Sequence, residues 1–263
     1  MKNIKRIFKQ TILTLITGFA LISVQAQERQ LFEIKTYTLG DQQQEQVVDA
    51  YLKEAYLPAL KRMGIGPIGV FKPRTKDKNG IADTIVVLTP FKSFEEFGSL
   101  HQRLREDKTH NEDGKPYLQA AHDQKPYLRI STTLLTAFED MPQLSPSPLA
   151  GPKEDRVYEL RSYESATEAR YRNKVKMFNE GGEVVLFDRL GFNAVFYGEV
   201  ISGGKMPNLM YMTTFKDQTS RDAHWKSFSD DPEWKTLSAR PEYQNNVSHI
   251  DILFLYPTEY SEY

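Results

Sequence analysis

A seven-residue pattern occurs twice in the chain, and this repeat constrains its fold more than any other feature. Residues 31–37 read Leu-Phe-Glu-Ile-Lys-Thr-Tyr, and residues 157–163 read Val-Tyr-Glu-Leu-Arg-Ser-Tyr. From the second position on, each copy has an aromatic residue, Glu, an aliphatic residue, a basic residue, a small hydroxyl residue and Tyr. The two faces alternate with the period of two that is typical of β-strands. The repeat therefore predicts two copies of one structural unit.

The same order of elements follows each copy of the pattern. The first half has, after its first strand, a helix over residues 47–63, strands at 68–71 and 85–89, a helix beginning at Ser93 and a strand at 128–135. The second half has a helix within 167–190, strands at 194–200 and 209–215, helices at 219–228 and from 231, and a strand at 247–255. Both halves therefore have the strand–helix–strand–strand–helix–strand order of the ferredoxin-like fold.

We predict an α+β protein of two tandem ferredoxin-like βαββαβ domains with antiparallel sheets. The first domain covers residues 28–140 and the second covers residues 154–263. Residues 141–153 contain four prolines and have the composition of a stiff linker. Each sheet carries its helices on one face and needs cover on the other. We therefore expect the two helix-free faces to pack face to face.

The first 26 residues have the layout of a secretory signal peptide. Four basic residues precede an apolar run at 12–24, and Val-Gln-Ala ends at Ala26 with small residues at the positions that a signal peptidase reads. The run is about 13 residues long, shorter than the ~20 that a membrane-spanning helix needs. We therefore expect cleavage, export to the periplasm or medium, and no stable membrane insertion afterwards.

Composition and residue spacing exclude several kinds of site. Removing four of the 34 Lys and Arg residues leaves 30 against 35 Asp and Glu, so a nucleic-acid partner, which requires a basic face, is not expected. The chain has no cysteine, which excludes disulfides, thiolate metal sites and cysteine nucleophiles. His101, His110 and His122 lack the spacing of metal ligands, and no phosphate-binding glycine pattern is present. We predict no metal site and no cofactor.

Strand alternation predicts which side chains lie between the two sheets. If the apolar positions of each strand face the helices, the polar positions face the interior. The resulting candidate ligand-lining residues are Glu33, Lys35, Tyr37, Glu159, Arg161 and Tyr163, with His249 and Asp251 from the last strand. Such a set could orient an organic acid or serve acid–base chemistry. Because buried charges must be paired, the same groups could equally be structural partners of one another, and His249 could simply be hydrogen-bonded at a strand edge.

The second half resembles the NIPSNAP family. The resemblance rests on the 157–163 strand, Leu-Gly-Phe at 190–192, Arg-Asp-Ala-His-Trp at 221–225 and Asp-Pro-Glu-Trp at 231–234. It is strong over about 110 residues and weaker over residues 31–138, where Asp-Pro-Glu-Trp has no counterpart. The resemblance implies the dimeric α/β-barrel arrangement, in a superfamily that also includes small oxygenases and haem proteins. It supplies no general catalytic motif.

Three functions are compatible with these features. The leading interpretation is an exported NIPSNAP-like protein that binds a small molecule or a protein partner, which could be a second copy of the chain. The alternative is a cofactor-independent, oxygenase- or isomerase-like enzyme that uses a polar interior between the sheets. The third is a protein–protein module with a filled interior. A cavity of roughly 300 Å³ or more favours a ligand, so the sequence alone leaves enzymatic activity open.

The signal-peptide prediction can be tested by mass. We expect the exported protein to begin within a few residues of Gln27, because a basic segment, an apolar run and Val-Gln-Ala occur in the order typical of a cleaved signal peptide. The intact mass and N-terminal sequence of secreted or periplasmic material give the result. A mass that still includes residues 1–26 would contradict the prediction.

Overall fold

A computed structural model of the protein describes residues 28–75 and 83–263. The predicted signal peptide lies outside these residues. Within the described residues, no helix is both long enough and apolar enough to cross a membrane.

Eight antiparallel strands form one closed barrel. The strands are β1 (Leu31–Thr38), β2 (Gly69–Pro73), β3 (Thr84–Phe91), β4 (Arg129–Ala137), β5 (Val157–Glu164), β6 (Ala194–Ser202), β7 (Asn208–Phe215) and β8 (His249–Pro257). Their order around the barrel is β1-β3-β2-β8-β5-β7-β6-β4. Strands predicted from alternation correspond to strands in the structure, with ends that shift by at most two residues.

Two short seams join the strands of the first half to those of the second. At one seam β2 pairs with β8, with Phe71 opposite Pro257, and at the other β4 pairs with β6, with Ala137 opposite Gly198. The expected mixture of helices with an antiparallel sheet is confirmed, but the strands form one closed sheet rather than two stacked ones. Closure gives partners to strand edges that two separate sheets would leave open.

The helices lie in the connections between strands, outside the barrel. They are α1 (Gln42–Ala50), α2 (Leu57–Arg62), α3 (Phe94–Glu106), α4 (Lys108–Asp113), α5 (Lys115–Leu118), α6 (Glu168–Phe178), α7 (Glu183–Arg189), α8 (Gln218–Asp230) and α9 (Pro232–Ser238). A π-helical turn, Tyr51–Tyr56, joins α1 to α2, and a 3₁₀ turn, Pro241–Tyr243, follows α9. The segment at 105–116, whose charged composition suggests a loop, contains α4.

Short polar side chains and glycines set the helix ends. Ser93 accepts a hydrogen bond from the Glu96 amide, and Asp231 accepts from the amides of Glu233 and Trp234, so both act as N-caps. Gly64 has φ +74° directly after the first long helical segment, and Gly191 has φ +73° at the matching point of the second half. Both adopt the left-handed conformation that ends a helix and that glycine adopts without strain.

Apolar side chains are buried in three clusters, one inside the barrel and two beneath the helices. The interior cluster combines residues of both halves, and its members include Phe32, Phe71, Leu88, Leu135, Tyr158, Phe196, Met212, Leu255 and Tyr263. One outer cluster lies under α1 to α4 and the other under α6 to α9. Both faces of most strands are therefore buried.

Residues 258–263 close one end of the barrel. The Glu262 carboxylate accepts a 2.6 Å hydrogen bond from the Ile68 amide, and the Ser261 hydroxyl accepts one of 3.0 Å from the Val70 amide. The Tyr263 ring lies 6.0 Å from the Phe71 ring and is 3% exposed. We call this the closed end.

The proline-rich segment 141–153 lies against the barrel. The Pro142 carbonyl accepts from the Gln30 amide at 2.8 Å, and the Ser145 amide donates to Val195 at 2.9 Å. The side chain of Leu144 packs on the interior cluster. The segment therefore contacts strands of both halves, while the proposed boundaries 28–140 and 154–263 stay predictions.

A pair of glycine variants tests the packing of the interior. A Cβ on Gly198 would lie 2.6 Å from the tip of the fully buried Phe32 ring, whereas a Cβ on Gly98, inside α3, meets no atom within 4 Å. We expect Gly198→Ala to lower the free energy of unfolding by about 1–3 kcal/mol. Gly98→Ala should raise it by about 0.5–1 kcal/mol. Thermal and denaturant unfolding give both values, and a neutral Gly198→Ala would contradict the packing described.

Candidate functional site

A cavity connected to the barrel interior lies at the end opposite the closed end. We call it the mouth pocket; its volume is about 360 Å³. Its apolar lining comes from Ile34, Val86, Leu160, Met210 and Leu253. A larger groove of about 510 Å³ lies between the start of α1 and residues 116–126, but its lining is mostly polar and it lies outside the barrel. The mouth pocket is therefore the candidate site.

Strand alternation positions the polar lining of the mouth pocket. The residues that supply it are Thr36, Thr133, Ser162, Lys205, Asn208 and Asp251. Ser162 lies on the inward face of β5, four residues after Tyr158 and two residues after Leu160. The turn between β6 and β7 brings Gly204 and Lys205 to the rim. The pocket thus has an apolar floor and a polar rim.

Asn208 is the most buried polar group of this lining. It is 2% exposed, and its Nδ2 donates a 2.9 Å hydrogen bond to the Ser162 hydroxyl. Its Oδ1 is buried and has no hydrogen-bond partner among the described residues. Because an unsatisfied buried acceptor costs about 1–3 kcal/mol, a donor that reached this oxygen would stabilise the site.

The predicted facing of the polar strand residues is wrong. Phe32, Ile34, Tyr158 and Leu160, expected beneath the helices, belong to the interior cluster. The six residues expected in the interior lie on the outer face, under the helices: Glu33, Lys35, Tyr37, Glu159, Arg161 and Tyr163. The physical reason is that helices can supply charged and polar partners to an outer strand face, whereas the interior offers mainly apolar rings.

Glu159 is the centre of the outer network in the second half. Its side chain is fully buried and accepts hydrogen bonds from Arg161 at 2.7 Å, Arg221 at 2.8 Å and the Trp225 indole at 2.7 Å. The Arg161 guanidinium lies 3.7 Å above the Trp225 ring, in cation–π contact. The helix α8, which carries Arg221 and Trp225, is thereby fixed to β5.

Electrostatics favour the ionised form of Glu159. Burial by itself would raise the pKa of this carboxyl, but the hydrogen bonds from Arg221 and the charge of Arg161 outweigh burial and hold the pKa below its usual value. Arg161 also donates to the Tyr163 hydroxyl at 3.1 Å, which lies 2.8 Å from the Tyr211 hydroxyl. Every charge in the network is paired, so the network has the character of a structural clamp.

The first half has a smaller network on its outer face. The Lys35 ammonium lies 3.5 Å from the Glu33 carboxylate and 3.4 Å from the Tyr56 hydroxyl. Burial would lower the pKa of Lys35, but Tyr56 and Glu33 raise it above its usual value. Burial also raises the pKa of Tyr37 well above its usual range. These groups pair with one another and with helix residues.

His249 and Asp251 lie away from the network beside which they were expected. They occupy the inward-facing positions of β8 at the rim of the mouth pocket, on the other face of the sheet from Glu159. The imidazole Nε2 is 3.1 Å from an Asp251 oxygen, and Lys205 forms an ion pair with Asp251. Ser162 and Asn208 were not predicted from the sequence. The alternation of β5 would have indicated Ser162 once the apolar positions of that strand are assigned to the interior.

The Glu159 clamp makes a testable prediction about stability and acid. Glu159→Gln leaves the buried Arg161 guanidinium without its counter-charge and leaves Arg221 with only the exposed Asp222, so we expect a loss of about 3–5 kcal/mol of unfolding free energy near neutral pH. Because the folded-state pKa is below the usual 4.5, the contribution is complete above pH 4.5 and fades as the pH falls below it. Urea unfolding from pH 7 to pH 3 should show the two proteins converging.

Asp222→Asn is the matched control for this prediction. Asp222 also pairs with Arg221, at 3.0 Å, but its side chain is 60% exposed, so we expect a loss below about 1 kcal/mol. Equal losses for the two variants, or a gap for Glu159→Gln that does not narrow as the pH falls below 4.5, would contradict the clamp.

Comparisons with known proteins agree with this architecture. The sequence profile of the NIPSNAP family matches residues 158–262, and a comparison with curated proteins finds no match.

A proposed monooxygenase from Lactobacillus acidophilus superposes with a TM-score of 0.57 at 13% identity, covering 88% of this chain and 94% of that one. A proposed monooxygenase from Fusobacterium nucleatum gives 0.54 at 9% identity, covering 88% and 93%. An anthrone oxidase-like protein gives 0.52 at 8% identity, covering 89% and 93%. At these identities the superpositions show the fold alone, and the family assignment comes from the sequence: residues 158–262 form a NIPSNAP domain.

Proposed function

We propose that this protein binds a small, largely apolar molecule in the mouth pocket. The observation that carries the proposal is a cavity of about 360 Å³ that combines an apolar floor with a buried acceptor, Asn208 Oδ1, that has no donor among the described residues. Pockets for small molecules are commonly of about 300–1,000 Å³ and mostly apolar, with a few placed polar groups. The mouth pocket lies at the lower end of this range, which favours a compact ligand.

The polar lining indicates one feature of the ligand. A hydroxyl or N–H group that reaches Asn208 Oδ1 would supply the missing donor, and the remaining surface of the ligand would contact Ile34, Val86 and Leu160. A ligand that carries a donor should therefore bind more tightly than a hydrocarbon of the same shape, by about 0.5–1.5 kcal/mol for one hydrogen bond. This favours small alcohols, phenols or amides over the organic acids considered from the sequence.

The enzymatic alternative now rests on different residues. An oxygenase- or isomerase-like reaction was expected to use Glu159 and Arg161, which lie outside the barrel in a saturated network. The titratable groups at the rim of the mouth pocket are Asp251 with its partners His249 and Lys205, and the neighbouring Glu164. Structural relatives described as monooxygenases support the fold and leave the reaction open. A protein partner or a second copy of the chain also stays a prediction.

Two further expectations belong to the same proposal. We infer that the chain is a tandem duplication, since the strand order β4-β1-β3-β2 of the first half recurs as β8-β5-β7-β6 in the second. We also infer that the protein acts in the periplasm or outside the cell, on the basis of the signal-peptide pattern in residues 1–26.

Filling the mouth pocket tests the binding proposal. We expect some members of a library of small phenols, alcohols and amides to raise the melting temperature of the protein, because a ligand that binds only the folded state stabilises it. Thr36→Trp places an indole in the pocket and should abolish these shifts, with at least a tenfold loss of affinity by calorimetry. Asn208→Leu should weaken compounds that carry a donor more than matched hydrocarbons.

Thr219→Trp is the control for Thr36→Trp. Thr219 is exposed on α8, outside the barrel, so this variant should keep every shift of the parent protein. If no library member shifts the parent, or if Thr36→Trp retains full affinity while folded, the mouth pocket is not a binding site for this class of molecule.

A further inference from the structure

Three potential metal ligands meet at the rim of the mouth pocket. Glu164 ends β5, and His249 begins β8 directly opposite it in the ladder. Asp251 lies two residues further along β8 and therefore on the same face as His249. One ligand atom from each of the three lies within 4.8 Å of the other two. The two strands thus bring an imidazole and two carboxylates together without any long loop.

This ligand set suits a divalent transition-metal ion. A neutral imidazole with carboxylates binds ions such as Mn²⁺, Fe²⁺ and Zn²⁺, whereas Mg²⁺ and Ca²⁺ prefer oxygen ligands alone. Ligand atoms about 2.0–2.2 Å from one ion lie roughly 3–4 Å apart. The imidazole and Asp251 already meet this spacing at 3.1 Å. A rotation of the partly buried Glu164 side chain would complete the set.

A second observation points to a ligand at the same place. Asn208 lies opposite Glu164 on the other side of β5, lines the mouth pocket and is 2% exposed. The described residues provide no donor for its Oδ1. Amide oxygens are good ligands for hard and borderline cations. The rim therefore has an unsatisfied oxygen on the strand that neighbours the three-residue cluster.

Lys205 occupies the position of a competing cation. Lys205 lies in the turn between β6 and β7, and its ammonium pairs with Asp251. The Lys205 side chain is 57% exposed. Lys205 binds Asp251 Oδ2, whereas the imidazole of His249 contacts Oδ1. An ion bound at Oδ1 would compete with the ammonium at Oδ2, because the two cations would share the charge of one carboxylate.

We propose that Glu164, His249 and Asp251 bind one divalent transition-metal ion at the rim of the mouth pocket, in competition with Lys205. Three protein ligands leave further coordination positions open to water or to a molecule in the pocket. This site differs from the dispersed histidines of the first half, on which the sequence analysis based its prediction of no metal. The proposal does not depend on the small-molecule ligand, since the ion alone is the probe.

Titration of the purified, tag-free protein with Mn²⁺ tests the site. Isothermal titration calorimetry and the loss of the free-ion electron paramagnetic resonance signal should show one ion per chain. His249→Ala and Glu164→Gln should each weaken Mn²⁺ binding at least tenfold. Changing even a residue that only supports a metal ligand commonly lowers metal affinity about 10–100-fold. Lys205→Ala should strengthen binding several-fold, because it frees Asp251. Mg²⁺ at the same concentration should compete poorly.

His122→Ala is the matched control, since it removes an exposed histidine that is not part of the three-residue cluster and should leave the affinity unchanged. Circular dichroism and melting temperature must show that each variant is folded. Absence of stoichiometric binding would overturn the proposal. So would affinities for folded His249→Ala or Glu164→Gln equal to that of the parent, or weaker binding by Lys205→Ala.

Discussion

The structure depends on the closure of the eight strands into one hydrogen-bonded ring. Closure buries both faces of the sheet, so every strand must supply one set of side chains to the interior and another to the helices outside. The interior has little room for ion pairs because rings from both halves, such as Phe32 and Phe196 at 4.8 Å, already fill it. Charged residues are accommodated on the outer face, where α8 brings Arg221 and Trp225 to Glu159. The distribution of charge in this protein is thus a consequence of topology.

The sequence carried enough information to predict the elements but too little to assign their faces. The repeated pattern at 31–37 and 157–163, the cap at Ser93 and the left-handed glycine at 64 are local signals, and each corresponds to an observed element. Which face of β5 points inward is a non-local property. Tyr158 and Leu160 are large and apolar, whereas Glu159 and Arg161 are charged, and all four are buried. The sequence alone does not decide which of the two pairs faces the barrel interior. The choice is made by partners some 60 residues away, on α8.

The same limit explains the candidate site. Ser162, Asn208 and Asp251 come from three strands and converge only because β5 pairs with β7 on one side and β8 on the other. No motif joins them in the chain, since 46 residues separate Asn208 from Ser162. His249 and Asp251 were recognisable as an alternating pair on the last strand, and both indeed lie on the inward-facing side of β8. Their neighbours could not be predicted while the orientation of β5 was reversed.

Residues 258–263 form the closed end, so the two ends of the barrel differ. Ser261 and Glu262 bind the amides of Val70 and Ile68 at one end, while the polar rim lies at the other. A molecule that arrives at the rim meets water and charge first and hydrocarbon last. An amphipathic ligand would therefore enter with its apolar end first and keep its polar group at the rim. It would leave by the same end of the barrel. With one end closed, the barrel would set the orientation of the proposed ligand as well as its size.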